Sequence, residues 1–250
     1  MAIMMYTSGT TGKPKGVMLT HDNLYAQGQA GQDAAELDMW EGPYIGMSAM
    51  PMAHIFGVGV MMNNYLIPKK IVDSGSYGVQ MGWFETDQFM SLIQEHKCTI
   101  MPAVPVMLSL ILHHPTADNY DLSSLQEVVC GASPLPEEVA RAFSEKYGCI
   151  VREIYGLTEA TGMGSANRRS RVYKPGSAGQ AYFNVELEIF DSNENPLPPH
   201  ERGEIVMKGP TMMKGYYNLP DKTAEAMRSG WLHTGDIGYL DEDSYLFVTD

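Results

Sequence analysis

Between Met47 and Tyr155 short apolar runs alternate with amphipathic stretches, and beyond about Pro175 that alternation stops. Met47–Pro51, Cys98–Val104, Leu125–Cys130 and Ile150–Tyr155 read as buried strands. Thr86–Lys97 puts Phe89, Leu92, Ile93 and His96 at i, i+3, i+4 and i+7, the spacing of one helix face. Val106–Leu112 and Glu137–Tyr147 also read as helices, the second acidic at its start and stopped by Gly148. Thr20 is placed to cap a helix from His21, and Met52–Gly59 leads into an apolar helix toward Leu66. Strands alternating with helices imply crossover units, hence an α/β fold with a mostly parallel sheet flanked by helices. After Pro175 only short strands are expected, over Val185–Phe190, Gly203–Lys208, Asp236–Leu240 and Tyr245–Thr249, with a hairpin turn at Asp241–Ser244. The expected division is an α/β region over 1–175 and a small β-barrel-like subdomain over 176–250.

A strand over Ala2–Tyr6 runs into Thr7-Ser-Gly-Thr-Thr-Gly-Lys-Pro-Lys15. Glycines Gly9, Gly12 and Gly16 let backbone amides approach and turn toward an anion. The hydroxyls of Ser8, Thr10 and Thr11 donate to phosphate oxygens or ligate Mg²⁺, and Lys13 and Lys15 offset charge. A Gly/Ser/Thr surface turn is the plain alternative. The spacing is not a Walker A loop: Thr7 stands where its first glycine belongs, and Pro14 follows Lys13 where a hydroxyl residue is required. Without its anion such a loop is expected to be mobile.

Composition removes several classes. A net charge of −13 repels nucleic-acid phosphates and anionic lipid. Cys98, Cys130 and Cys149 form no CxxC pair, which argues for a reducing compartment and for three small core residues. No apolar run reaches the roughly 18 residues of a membrane span, and no basic segment precedes an apolar core at the N-terminus. The expected location is cytoplasmic, with peripheral membrane contact and oligomeric state left open.

Four further stretches carry chemistry. Tyr155-Gly-Leu-Thr-Glu159 follows a strand, where open α/β sheets bind ligands. Glu159 is a hard donor suited to Mg²⁺, Thr158 suits a phosphate oxygen, and Tyr155 offers a flat face to a purine. Gly230-Trp-Leu-His-Thr-Gly-Asp236 ends on a carboxylate able to accept from a ribose diol. Pro51-Met-Ala-His-Ile-Phe-Gly57 sets His54 and Phe56 in an apolar segment, where a lone histidine is more often a core residue. Gly131-Ala-Ser133 is a small-residue loop at a strand end, open to a planar base or merely a turn. The 19 methionines read mostly as core packing, with Val104, Pro105 and Met107 as further pocket candidates.

With these motifs in this order the chain resembles the adenylate-forming superfamily over its whole length, and most of all its medium- and long-chain fatty-acyl-CoA synthetases. The resemblance implies an acid–thiol ligase using a carboxylic (fatty) acid, ATP, Mg²⁺ and CoA as co-substrate, acting through an acyl-adenylate. It assigns Thr7, Ser8, Gly9, Thr10, Thr11, Gly12, Lys13 and Lys15 to the phosphates. Gly131, Ala132 and Ser133 go to the adenine and acyl pocket, Tyr155 to the adenine, Gly156 to the nucleotide beside it, and Asp236 to the ribose. Thr158 falls to the α-phosphate, Thr10 and Glu159 to magnesium, and His54 to the carboxylate pocket. No Asp lies between Ala53 and Val60, which disfavours an amino-acid substrate. The superfamily's first part and its C-terminal lid, with the adenylation lysine, have no counterpart in this sequence. The chain is therefore expected to be a piece impaired in catalysis. The alternatives are a non-catalytic nucleotide- or acyl-binding protein and an aryl-acid-CoA ligase.

Overall fold

The computed structural model describes residues 1–7, 13–37, 40 and 42–250. The loop residues Ser8, Gly9, Thr10, Thr11 and Gly12, and the expected mobility of that loop, lie outside the described residues. The first elements are β1 (Ile3–Thr7), β2 (Lys15–Leu19), α1 (His21–Ala35), β3 (Ile45–Ser48), α2 (Ile55–Tyr65), α3 (Lys69–Asp73) and β4 (Tyr77–Gln80). Next come α4 (Thr86–His96), β5 (Ile100–Ala103), α5 (Pro105–Leu112), β6 (Glu127–Cys130), α6 (Glu137–Tyr147) and β7 (Ile150–Tyr155). The remainder is mostly β: β8 (Ser165–Ala166), β9 (Gln180–Ala181), β10 (Glu186–Phe190), β11 (Gly203–Lys208), β12 (Gly215–Tyr216), α7 (Pro220–Ala226), β13 (Leu232–Leu240) and β14 (Leu246–Val248).

The main sheet has the order β4-β3-β5-β6-β7-β8-β9. Its first five strands are parallel, and the two-residue strands β8 and β9 add on antiparallel. Connections leave β3 and β5 in opposite directions, so a topological switch lies between them, where open α/β sheets take ligands. Period-2 alternation divides the strands between two faces. One face sends Met47, Met101, Val128 and Val151 into a core with Phe89, Ile93, Leu108, Ile111 and Phe143 from α4, α5 and α6. The other face turns Gly46, Ile100, Pro102, Val129 and Ile154 toward α1 and α2 and lines a cavity there.

β1 and β2 form an antiparallel pair, from Ile3 opposite Leu19 to Thr7 opposite Lys15, so the register holds both ends of the loop. Sequence reading passes over β2 because Gly16 weakens the strand signal, and over β12 and α7 because they are short. β12 pairs with β2, bringing the late β region back to the start of the chain. A second, antiparallel sheet, β10-β11-β13-β14, curls beside the main one. It is tied on through Ala178 N–H to Leu246 O at 2.9 Å and Leu246 N–H to Gly179 O at 2.8 Å.

Several local rules operate as expected. Thr20 and Asn23 form a reciprocal cap on α1, with Asn23 N–H donating to Thr20 Oγ1 at 3.1 Å and Thr20 N–H to Asn23 Oδ1 at 2.8 Å. Gly148 closes α6 in the left-handed conformation. Other bounds move: β3 lies at Ile45–Ser48 rather than Met47–Pro51, and β13 begins at Leu232 rather than Asp236. The three cysteines are buried and unbridged, and burial pushes the Cys98 and Cys149 thiols up to about 11. Among the described residues no helix is long and apolar enough to cross a membrane.

Candidate functional site

The Tyr155–Glu159 motif leaves β7 and turns sharply. Gly156 is required there: a Cβ would lie 2.2 Å from Gly162 O. Thr161, left-handed at φ 56°, donates its hydroxyl to Thr211 O, and Gly164 N–H donates to Tyr155 O at 3.0 Å. The turn is thus fixed at both ends, and Thr158 begins a short 3₁₀ turn that carries Glu159.

Glu159 is buried and held by the late segment. Met213 N–H donates to its carbonyl at 2.7 Å, and the Tyr216 hydroxyl donates to its Oε1 at 2.9 Å. Lys15 Nζ in turn donates to the Tyr216 hydroxyl at 3.3 Å, its ammonium 4.4 Å from the centre of that ring. Burial and the Glu159 carboxylate push the Tyr216 phenol well above its ordinary range, so it keeps its proton and donates. One continuous path therefore runs from the loop's lysine through Tyr216 to Glu159.

A second path starts at Tyr155, whose hydroxyl donates to Asp236 Oδ2 at 2.6 Å. Burial, then Asp236, raises that phenol as well. Asp236 sits in a turn built by its neighbours: Gly235 is left-handed at φ 80°, and Asp236 N–H donates to Thr234 Oγ1 at 3.1 Å. Glu204 of β11 clamps the same turn, accepting from Gly235 N–H at 3.1 Å, from Arg228 Nη2 at 3.0 Å and bonding His233 Nδ1 at 2.8 Å.

The cavity of about 420 Å³ between the main sheet and α1 and α2 is lined by Thr7, His54, Ala132, Gly156, Thr158 and Glu159, six of the expected site residues. His54 is exposed to it and is no core histidine: it caps α2, its Nδ1 accepting from Phe56 N–H at 3.2 Å, which leaves Nε2 to carry the proton of the neutral ring. Ala132 is left-handed at φ 71°, a strained conformation for a residue with a Cβ. Gly131 packs so closely that a Cβ would meet Ile154 Cγ1 at 2.7 Å. Gly131, Ser133, Tyr155, Asp236 and Lys15 lie outside the cavity lining, and Lys13 is exposed. Val104, Pro105 and Met107 are not in the lining either; Pro105 and Met107 are buried in α5.

These contacts bring the first strands, the middle motif and the late β region to one place. The family model described as AMP-binding enzyme matches residues 1–217. The chain belongs to this AMP-binding enzyme family. It is 36% identical over its full length to the long-chain-fatty-acid–CoA ligase of Bacillus subtilis strain 168 and spans 44% of that protein. It is 34% identical to a feruloyl-CoA synthase of Amycolatopsis, again over its full length and 49% of the relative. Its fold matches the N-terminal domain of FACL13 from Mycobacterium tuberculosis with a TM-score of 0.85 at 28% identity, covering 99% of this chain and 59% of that one. The chain thus spans about half the length of the curated relatives it matches. The CoA ligases of this AMP-binding family act on both fatty and aryl acids by name.

For this family member, Tyr216 and Glu204 are the residues sequence reading missed. Both lie in segments, Met213–Asn218 and Gly203–Gly209, that resemble the superfamily but look structural because nothing in their spacing points at a ligand. Magnesium suits the donor set. Among the described residues no three His, Cys, Asp or Glu side chains cluster, so Glu159 would supply one carboxylate oxygen and phosphate and water the rest, the usual manner of Mg²⁺.

Proposed function

We propose that this chain forms the nucleotide- and acid-binding part of an AMP-forming acyl-CoA ligase. ATP lies across the strand ends, with its triphosphate at the loop 7–15, its α-phosphate near Thr158 and its ribose on Asp236. The acid enters the cavity past His54 and Phe56. Its carboxylate oxygen bonds to the α-phosphorus while the bond to pyrophosphate breaks, leaving an acyl-adenylate. A CoA sulfur then bonds to the acyl carbon, and AMP leaves. Bound Mg²⁺ neutralises phosphate charge. The protein's own share is positioning and charge stabilisation. Lys15 faces the leaving phosphates, Tyr216 holds Glu159 in place, and Tyr155 holds Asp236 so that its carboxylate meets the ribose diol.

The observation that carries this reading is the meeting of two hydrogen-bonded paths, Lys15–Tyr216–Glu159 and Tyr155–Asp236, on one five-residue motif. No lysine lines the cavity among the described residues, so this stretch alone is expected to bind nucleotide but exchange pyrophosphate weakly. Calorimetric titration with AMP tests it. The protein should bind AMP, and Asp236→Ala should weaken binding at least tenfold by removing a charge-assisted pair of hydrogen bonds. An unchanged affinity would overturn the placement of the ribose. A fatty acid and an aryl acid both fit a cavity of this kind.

A further inference from the structure

Asp236 stands on a bulge. Along β11 and β13, Glu204 opposes Ile237 and Val206 opposes His233, so Thr234, Gly235 and Asp236 of β13 face Ile205 alone. A bulge re-aims the side chains it carries and leaves backbone groups without ladder partners. Side chains supply the missing bonds here. Thr234 Oγ1 donates to Ile205 O at 2.7 Å and accepts from Asp236 N–H at 3.1 Å. Gly235 N–H donates to Glu204 Oε1 at 3.1 Å.

Glu204 reaches the bulge with one oxygen and is held by the other. Its Oε2 accepts from Arg228 Nη2 at 3.0 Å and from His233 Nδ1 at 2.8 Å; a carboxylate only accepts, so His233 carries its proton on Nδ1. Arg228 is anchored in turn, its Nε donating to Glu194 Oε1 at 2.7 Å and its Nη1 to Glu225 O at 3.0 Å. The loop after β10, the end of α7 and β13 itself therefore fix the direction of this one carboxylate. Satisfying an amide does not require so much: Gly235 is exposed, and water would serve its N–H nearly as well. Water would not fix where Asp236 points. Tyr155 already holds one oxygen of Asp236, and Glu204 holds the backbone beneath it. Resting on the function proposed above, we infer that Glu204 is a positioning residue for the ribose, setting the bulge so that Asp236 meets both hydroxyls at once. Two hydrogen bonds to a diol tolerate little misplacement, so Glu204 governs preference for the diol rather than affinity for nucleotide in general.

AMP and 2′,3′-dideoxy-AMP differ only in those two hydroxyls, and calorimetric titration of both provides the test. Wild type should bind AMP about tenfold more tightly than the dideoxy nucleotide. In Glu204→Ala that preference should shrink to about twofold through weaker AMP binding, while dideoxy-AMP binds as it does to wild type. Glu204→Gln should fall between the two, because an amide presents one acceptor and cannot serve both Gly235 and the Arg228–His233 pair. Should the alanine variant fail to fold, the glutamine variant decides on the same readout. A loss shared equally by both nucleotides would show that Glu204 only supports the fold. A preference unchanged in the variants would show that the bulge keeps its shape without Glu204. Either result overturns the inference while the ribose site stands. Equal binding of the two nucleotides by wild type would overturn the placement of the ribose on Asp236, and the inference with it.

Discussion

Tyr216 acts on the site through one hydroxyl that touches both an acidic and a basic group. Its backbone is fixed independently, since its N–H donates to Thr223 Oγ1 at 2.9 Å and β12 pairs it with Val17. Tyr216→Phe therefore keeps the ring and its packing but leaves Glu159 Oε1 without its donor and frees Lys15. The stability cost should be about 1–3 kcal/mol, the penalty of leaving a buried acceptor without its donor. Function should change in a more specific way. A carboxylate no longer aimed binds Mg²⁺ less well, so affinity for ATP with Mg²⁺ should drop several-fold while affinity for AMP without metal stays close to wild type. Calorimetry with and without Mg²⁺ separates the two. Equal losses in both would show that Tyr216 only supports the fold.

At the scale of elements, what could be read from the sequence depended on whether local pattern or a distant partner fixes the structure. α4, α6 and β7 were legible because spacing, a capping residue or a left-handed glycine defines them within a few residues. β12 was not, because it is a strand only by virtue of β2, about 200 residues away along the chain, and β2 itself carries a weak local signal at Gly16. The site shows the same split. Glu159 and Asp236 stand in compact motifs, whereas Tyr216 and Glu204 matter through contacts the fold creates. The turn after β7 is the element on which both hydrogen-bonded paths converge, and it offers no room for a methyl group. In Gly156→Ala the new Cβ would meet backbone, Gly162 O at 2.2 Å, so the turn must open. That should cost about 1–3 kcal/mol, the range of an overpacked site, and weaken AMP binding as Thr158 and Glu159 shift. Thermal denaturation and AMP titration together check it. An unchanged melting temperature would mean the turn gives way more easily than its packing implies.

The molecule as a whole is acidic, and one carboxyl in its main sheet makes stability depend on pH near neutrality. Glu153 of β7 sits beside Cys130 of β6, and burial raises its carboxyl to about 7, opposed only by a hydrogen bond from the Leu135 backbone. The Cys130 thiol is pushed up to about 12 in the same place, by burial first and by Glu153 second. In the unfolded chain Glu153 titrates near its ordinary 4.5. Between that value and about 7 the folded protein holds a proton the unfolded chain has lost, so stability falls as pH rises through this window and the loss is complete above about 7. The net charge of −13 pushes the same way through general repulsion, so the wild-type curve alone does not isolate the residue. Glu153→Gln does, because the amide keeps the acceptor for Leu135 and cannot ionise. Near pH 5.5 the two proteins should melt within a degree or so of one another. By pH 8 wild type should have lost on the order of 2 kcal/mol more than the variant, about 4–8 °C for a chain this size. Parallel melting curves across that range would mean that Glu153 meets water in solution and titrates as an ordinary surface carboxylate.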